Sequence, residues 1–370
     1  MRRRDRVLLF APHFAEYSTR LAQALAAHAD VLLILDGDKR RAFCDDAWFK
    51  AATANVRVIE FFADSRLQRM FWTPLLVVAA YLFRPNVFHI QEQADFTSFW
   101  LTRMLSLRTP VVVTVHDPKP HTGRDAEFIR RRGRQFRDRI RASASLFHVH
   151  GAYCRREMLE LDSTRPIVET CHGLLHVPEP DEMVEPEPNR VLFFGRMEAY
   201  KGLEVLLDAV DILIGRGCDY RFVIAGSGEA LDRLRERLAV TPGVDVLDCF
   251  LSPSEVVREF QKCSVAVLPY LEATQSGVAA AAIANGRPVV SSAAGGLMDI
   301  VVEGENGLLV PPGDVVALAD ALQRVLDDAD LKETLMRGAR STQARLGWDV
   351  AAKALVEGYR ILPDAAWSRD

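Results

Sequence analysis

VLFFGRMEAYKG, Val191 to Gly202, is the stretch whose reading decides the fold. Its apolar start, Val191-Leu192-Phe193-Phe194, shows no alternation and reads as a parallel strand buried on both faces. Gly195 ends the run, and Arg196 and Lys201 follow before an apolar helical segment. Open α/β sheets bind ligands at the carboxyl ends of their strands. A planar Arg fork and a mobile Lys charge at such an edge suit a diphosphate. Taken alone, the stretch reads equally as a strand–loop–helix connection carrying two solvated cations.

Three later segments tip that balance. RFVIAGSGEA (221–230) is a strand ending in Gly226-Ser227-Gly228. VLPYLEATQSGVAAAAIANGRPVV (267–290) sets Glu272, Gln275, Ser276, Gly277 and Val278 between a strand and an Ala-rich helix. VVSSAAGGLMDIV (289–301) places Gly295-Gly296 after another strand. All four loops then fall on one edge of one sheet. Candidate strands run through the whole chain: 7–10, 31–35, 56–61, 87–91, 111–115, 146–149 and 167–170 in the first half, and 191–194, 221–225, 244–247, 265–268, 289–291 and 307–310 in the second. Alternation of strands with helical patterns predicts two doubly wound, Rossmann-like α/β domains facing across a cleft. The expected organisation is a domain over 1–177, a Pro- and acid-rich linker over 178–189, a second domain over 190–345, and a C-terminal segment over 346–370. Its helix, from about Trp348 to Ile361, carries Val350, Ala354, Leu355 and Tyr359 at helical spacing.

Composition narrows the class. A chain of 370 residues is long enough for two cores, and 49% hydrophobic with 26% charged residues is ordinary for a globular protein. A net charge of -4 makes no general case for nucleic acid. The six cysteines form no CxxC pair, so neither a zinc site nor a disulfide framework is expected, and a reducing, cytoplasmic setting is. Met-Arg-Arg-Arg precedes only a short strand-like run, unlike a secretory signal. The apolar stretch Phe71–Phe83 is too short to span a bilayer, is interrupted by Pro74, and reads as a core helix. Asp36-Gly37-Asp38 follows a strand and reads as a turn rather than a metal-binding acid pair.

On these motifs the chain resembles the retaining glycosyltransferases of the group 1 family (family 4), which have the GT-B fold. The resemblance is strong from Val191 to about Val310 and weaker before it. It implies transfer of a sugar from a nucleotide-diphosphate sugar, UDP or GDP foremost, to an acceptor hydroxyl, with no cofactor and no metal. It also implies bacterial cell-surface polysaccharide or glycolipid synthesis, and a C-terminal helix that crosses back to the first domain. Arg196 and Lys201 match the family's basic pair, Gly195 its neighbour, and Glu272 its first motif glutamate, which holds donor hydroxyls. Gly226, Ser227 and Gly228 resemble its glycine turn, and Phe250 and Leu251 (in LDCFLSPSE) the place where backbone meets the base. Ser276, Gly277 and Val278 would offer amides at a helix N-terminus. The family's second glutamate, which binds the ribose, is replaced by Ala280-Ala281-Ala282, as in its ETQSGV-like variant, with Gln275 as a partial substitute.

In the first half, His116 ends the strand VVVTV, with Asp117 after it, and the family resemblance implies a place for His116 beside the donor sugar. His13, His121, His150 and His172 are candidates for the acceptor side. No histidine pair has metal-ligand spacing on a helix, so no metal is expected. Gly123–Ser143 is rich in arginine, with Ile129, Phe136 and Ile140 as a narrow apolar stripe. It reads as an exposed helix or, across 124–141, as a peripheral contact with anionic lipid headgroups serving a lipid-linked acceptor. A dinucleotide site at Gly226–Gly228 is disfavoured, because the third glycine and a strand-ending acid at a credible place are lacking. Two rivals remain: a GT-B-fold nucleotide-sugar epimerase, and a non-catalytic nucleotide-sugar-binding protein.

Overall fold

The computed structural model describes residues 5–119, 133–177 and 184–362. They divide into two compact units, one of residues 5–119, 133–170 and 348–362, the other of 171–177 and 184–347.

The first unit is built on a seven-stranded sheet: β1 Arg6–Ala11, β2 Asp30–Asp36, β3 Arg57–Phe61, β4 Val87–Gln91, β5 Val111–Val115, β6 Leu146–His150 and β7 Ile167–Thr170. Their order is β3-β2-β1-β4-β5-β6-β7, and every described pairing is parallel. In register, Leu8 faces Leu32 on one side and Phe88 on the other. Strands buried on both faces need no polar alternation, and β4, β5 and β6 are buried at every position. Helices cover both faces. One layer includes Arg66–Phe83, Phe96–Leu105 and Arg134–Ala142, which pack side by side. The other includes Ala15–Leu25 and the C-terminal helix Trp348–Arg360.

That C-terminal helix buries Ala351, Ala352, Leu355, Val356 and Tyr359. Val350, counted above in its apolar stripe, points outward instead and is half exposed. Beneath the helix a buried hydrogen-bonded ladder crosses four strands. Tyr359 Oη meets His89 Nδ1 at 2.6 Å, and His89 Nε2 meets Thr114 Oγ1 at 2.6 Å. Thr114 Oγ1 then meets His148 Nδ1 at 2.9 Å, and His148 Nε2 meets Thr170 Oγ1 at 2.7 Å. Each side chain of this ladder thus has a partner, the condition under which buried polar groups persist.

Three local expectations are corrected. Phe71–Phe83 is not a core helix: it belongs to Arg66–Phe83, which runs through Pro74 and buries one side only. Asp36 is not a simple turn residue; its carboxylate accepts from the Asp38 and Lys39 amides and caps the helix Gly37–Phe43. In the Arg-rich segment, Ile129 lies outside the described residues, Ile140 is fully buried, and Phe136 packs on Phe99. The stripe there faces inward.

The second unit has a six-stranded parallel sheet: β8 Arg190–Phe194, β9 Arg221–Ala225, β10 Val244–Leu247, β11 Val265–Leu268, β12 Val289–Ser292 and β13 Gly307–Val310. Their order is β10-β9-β8-β11-β12-β13. From β8 the chain winds outward through β9 to β10, then returns to the other side of β8 as β11. The order reverses between β8 and β11, and the loops that leave those two strands flank the crevice where such sheets take ligands.

Candidate functional site

The loop after β8 opens at Gly195, whose φ is +119° and whose amide donates to Ala225 O at 3.0 Å. A Cβ there would lie 2.5 Å from Lys201 Nζ, so only glycine lets the ammonium settle over this backbone. Lys201 closes the 3₁₀ turn Ala199–Lys201 and is almost completely buried. Its Nζ lies 5.3 Å from the centre of the Tyr270 ring, a cation–π contact. Burial, followed by the charge of Arg196, brings its pKa down to about 8, against the opposing pull of Glu198. Arg196 is exposed. Gly202 follows at φ +74°, where a Cβ would meet Pro269 O at 2.0 Å, and Leu271 N donates to Tyr200 O at 2.7 Å. The β8 and β11 loops are therefore stitched together backbone to backbone.

The remaining loops join the same edge. Gly226 approaches Gly195 O, and Gly228 approaches Met197, at distances no Cβ would tolerate. Met197 N donates to Ser227 O at 2.9 Å. The glycine turn thus has a packing reason in addition to any ligand. Gly296 sits so close to Thr274 O that an added Cβ would be 1.9 Å from it, which fixes the path of Thr274-Gln275. Ser276 caps the helix Gly277–Ala284, its Oγ accepting from Ala279 N at 3.2 Å. Val278 reaches the Gly195 loop. Glu272 is exposed, and Gln275 Oε1 is buried without a hydrogen-bond partner. Phe250 is exposed, and Leu251 packs on the core. Ala280, Ala281 and Ala282 are completely buried, so core packing occupies the segment where the family's second glutamate was sought.

His172 departs from the expected grouping. It lies in the second unit, with its Cε1 beside Gly277, at the N-terminus of the Ala-rich helix. Nothing in its sequence context separates it from the histidines of the first half.

His116 and His150 meet at the carboxyl edge of the first sheet. His116 Nε2 pairs with Gln91 Oε1 at 2.8 Å. Its ring stacks on Phe14 at 4.1 Å and lies 5.0 Å from His150. Tyr17 contacts both imidazoles edge-on and also touches Trp348. His116 and His150 are both buried, with Phe14, itself at φ +58°, laid over His116. His13 is held below the usual imidazole pKa by burial and by Lys39. Asp117 is exposed, and its carbonyl accepts from Arg141, which also pairs with Glu92. His121 lies outside the described residues. The joining of Phe14 and Tyr17 with Trp348 over the imidazoles has no signal in the sequence, because helix Ala15–Leu25 and the C-terminal helix meet only in the fold. Among the described residues, no group of three or more His, Cys, Asp or Glu side chains is placed to hold a metal ion.

Two doubly wound parallel sheets, each with polar loops at its carboxyl edge, define the GT-B fold. Comparison agrees. The chain is similar to sucrose-phosphate synthase from Thermosynechococcus elongatus, with a TM-score of 0.74 at 21% identity over 98% of this chain and 100% of that one. It is also similar to Anabaena HepE, solved in complex with UDP and glucose, with a TM-score of 0.71 at 18% identity over 96% and 99% of the two chains. Residues 188–328 match the family model "Glycosyl transferases group 1", and residues 14–170 match "Glycosyl transferase 4-like domain". With these two domains covering most of its length, the chain belongs to the group 1 glycosyltransferases. Among curated relatives, D-inositol 3-phosphate glycosyltransferase of Corynebacterium urealyticum is 40% identical over 180 residues, 46% of this chain and 42% of that protein. An uncharacterized glycosyltransferase of Methanocaldococcus jannaschii is 32% identical over 182 residues, 48% and 46% of the two chains. The matched region spans under half of each of these two relatives.

Proposed function

We propose that the protein is a retaining, metal-independent glycosyltransferase that moves a sugar from a nucleotide-diphosphate sugar, with UDP or GDP as the carrier, to an acceptor hydroxyl. The observation that carries this reading is Lys201: a buried ammonium at the switch point of the second sheet, with a pKa lowered to about 8. A cation stripped of water gains most from an arriving anion. The nearby N-terminus of Gly277–Ala284 adds amides oriented toward negative charge. The similar Anabaena HepE has been solved in complex with UDP and with UDP-glucose, which favours UDP.

In this reading Arg196 and Lys201 stabilise the diphosphate as it leaves. The bond from the anomeric carbon to the diphosphate oxygen breaks through an oxocarbenium-like state. The acceptor oxygen bonds the same face, and its proton passes to the departing diphosphate, so no general base is assigned. Glu272 holds donor hydroxyls, with Gln275 offering its unpartnered carbonyl. Gly195, Gly226, Ser227, Gly228, Ser276, Gly277 and Val278 line the phosphates, and the backbone at Phe250 and Leu251 meets the base. His116 serves beside the sugar, and His13, Asp117, His121 and His150 serve the acceptor; His172, on its position, belongs with the donor. The acceptor is a saccharide or lipid-linked molecule of cell-surface polysaccharide or glycolipid synthesis. The setting is bacterial and cytoplasmic, with the Arg-rich segment 124–141 near the inner membrane face.

A melting-temperature panel with UDP, GDP, ADP and dTDP tests the nucleotide site, since a ligand selective for the native state raises the midpoint. A shift with one nucleotide, followed by its release from the matching sugar donor, is the expected outcome. No shift with any of them defeats the reading.

A further inference from the structure

Helix Arg66–Phe83 of the first unit divides its surface sharply. Thr73, Leu76, Ala80 and Phe83 recur at three- and four-residue spacing and are buried. The opposite side presents Leu67, Met70, Phe71, Leu75, Val78 and Leu82, exposed by 79, 54, 65, 47, 56 and 78%. These six also recur at helical spacing, so they form one continuous stripe rather than scattered apolar residues. A monomer surface rarely carries apolar patches beyond a few hundred Å², and a larger one marks an interaction surface. The neighbouring helix Phe96–Leu105 extends it with half-exposed Trp100, and Leu107 follows at 61% exposure.

The charge around the stripe identifies the partner. Neither Arg66–Phe83 nor Phe96–Leu105 contains an acidic residue. Arg84, Arg103 and Arg108 are exposed at their ends. The adjoining helix Arg134–Ala142 adds exposed Arg139, over the Phe99 ring, and exposed Arg134, which is paired with Asp138 at 3.5 Å. An apolar stripe with a cationic border and a tryptophan beside it matches a bilayer surface bearing anionic headgroups. A second copy of the same face would bring like charges together. No helix of the described residues is long and apolar enough to cross a membrane, so the helix would lie on the bilayer.

We infer that the exposed face of Arg66–Phe83 seats the first unit on an anionic lipid surface, with the apolar stripe entering the headgroup region and the flanking arginines meeting lipid phosphates. The contact is thereby assigned to this stripe and its described arginine border. The inference holds whether or not the transferase reading does, because its test reads vesicle binding and not turnover. The full chain is sedimented with phosphatidylcholine vesicles with and without phosphatidylglycerol. Wild type is expected to pellet with the anionic vesicles and to be released by high salt. A triple variant, Leu67→Glu, Phe71→Glu and Leu82→Glu, alters only exposed positions and is expected to keep its melting temperature while losing at least about tenfold in partitioning. Wild type left in the supernatant overturns the inference, as does a triple variant that binds equally well. A wild-type dimer that the triple variant dissociates, with no vesicle binding by either, makes the face a self-interface and also overturns it.

Discussion

Lowering the proton activity should weaken nucleotide binding, and the size of the effect follows from Lys201. With a pKa of about 8 in the free protein, the ammonium is about nine-tenths charged near pH 7 and about nine-tenths neutral near pH 9. Burial causes most of the shift, and Arg196 adds to it. A bound diphosphate supplies the missing counter-charge and raises the pKa back toward the ordinary lysine range. Linkage then requires the affinity for UDP or GDP to fall about tenfold, about 1.4 kcal/mol, from about pH 7 to about pH 9, with roughly half a proton taken up on binding near pH 8. Titration calorimetry in two buffers of different ionisation enthalpy measures both quantities. Lys201→Arg keeps a cation that does not titrate in this range, so its pH profile isolates any contribution from the ligand's own groups. A wild-type dissociation constant that follows the Lys201→Arg profile, with no extra proton uptake, refutes the placement of Lys201 at the diphosphate.

Arg196→Ala, at an exposed position, should leave the melting temperature unchanged and lower turnover by about 10²–10³-fold, as removal of one transition-state donor does; undiminished turnover would refute its role. Gly202→Ala forces a Cβ to 2.0 Å from Pro269 O at φ +74°, and should cost about 2 kcal/mol or more in urea unfolding; a cost within error would show that the two loops are not held in register. His89 is buried neutral, with a pKa lowered to about 3 by burial and then by His116. Its unfolded form binds protons first, so its stabilising contribution is complete above about pH 6.5 and is lost as pH falls toward about 3, at up to about 1.4 kcal/mol per pH unit. Urea midpoints between these limits should show that slope in wild type and a shallower one in His89→Gln. Ala280→Glu, intended to restore the missing acid, should instead destabilise the second unit by several kcal/mol, because the position is completely buried; a stable variant that binds nucleotide more tightly would reverse this view.

The strand plan was legible from residue order alone. All thirteen expected strands are present within two residues of their expected ends: the central strands, buried on both faces, write themselves as unbroken apolar runs, and the part-exposed β3, β7 and β10 show as shorter β-branched segments broken by an acid. The polar rim of the second sheet was legible for a related reason: glycines and cations interrupt those runs at fixed places, and the topology sends every such interruption to one rim of the sheet. What escaped depends on which side of an element meets a neighbour. Phe71–Phe83 carries a core composition, yet the next layer covers only its Thr73–Leu76–Ala80–Phe83 side. Val350 has the same apolar character as Leu355, and only the angle at which the C-terminal helix docks turns one out and the other in. His172 reads like His150 in sequence but packs beside Gly277, more than a hundred residues on. Composition and period are properties of a segment, so sequence determined the elements, their order and the rim that carries the polar loops. Burial, a lysine's lost hydration and the cover over His116 are properties of pairs of segments distant along the chain, and only tertiary packing decided them.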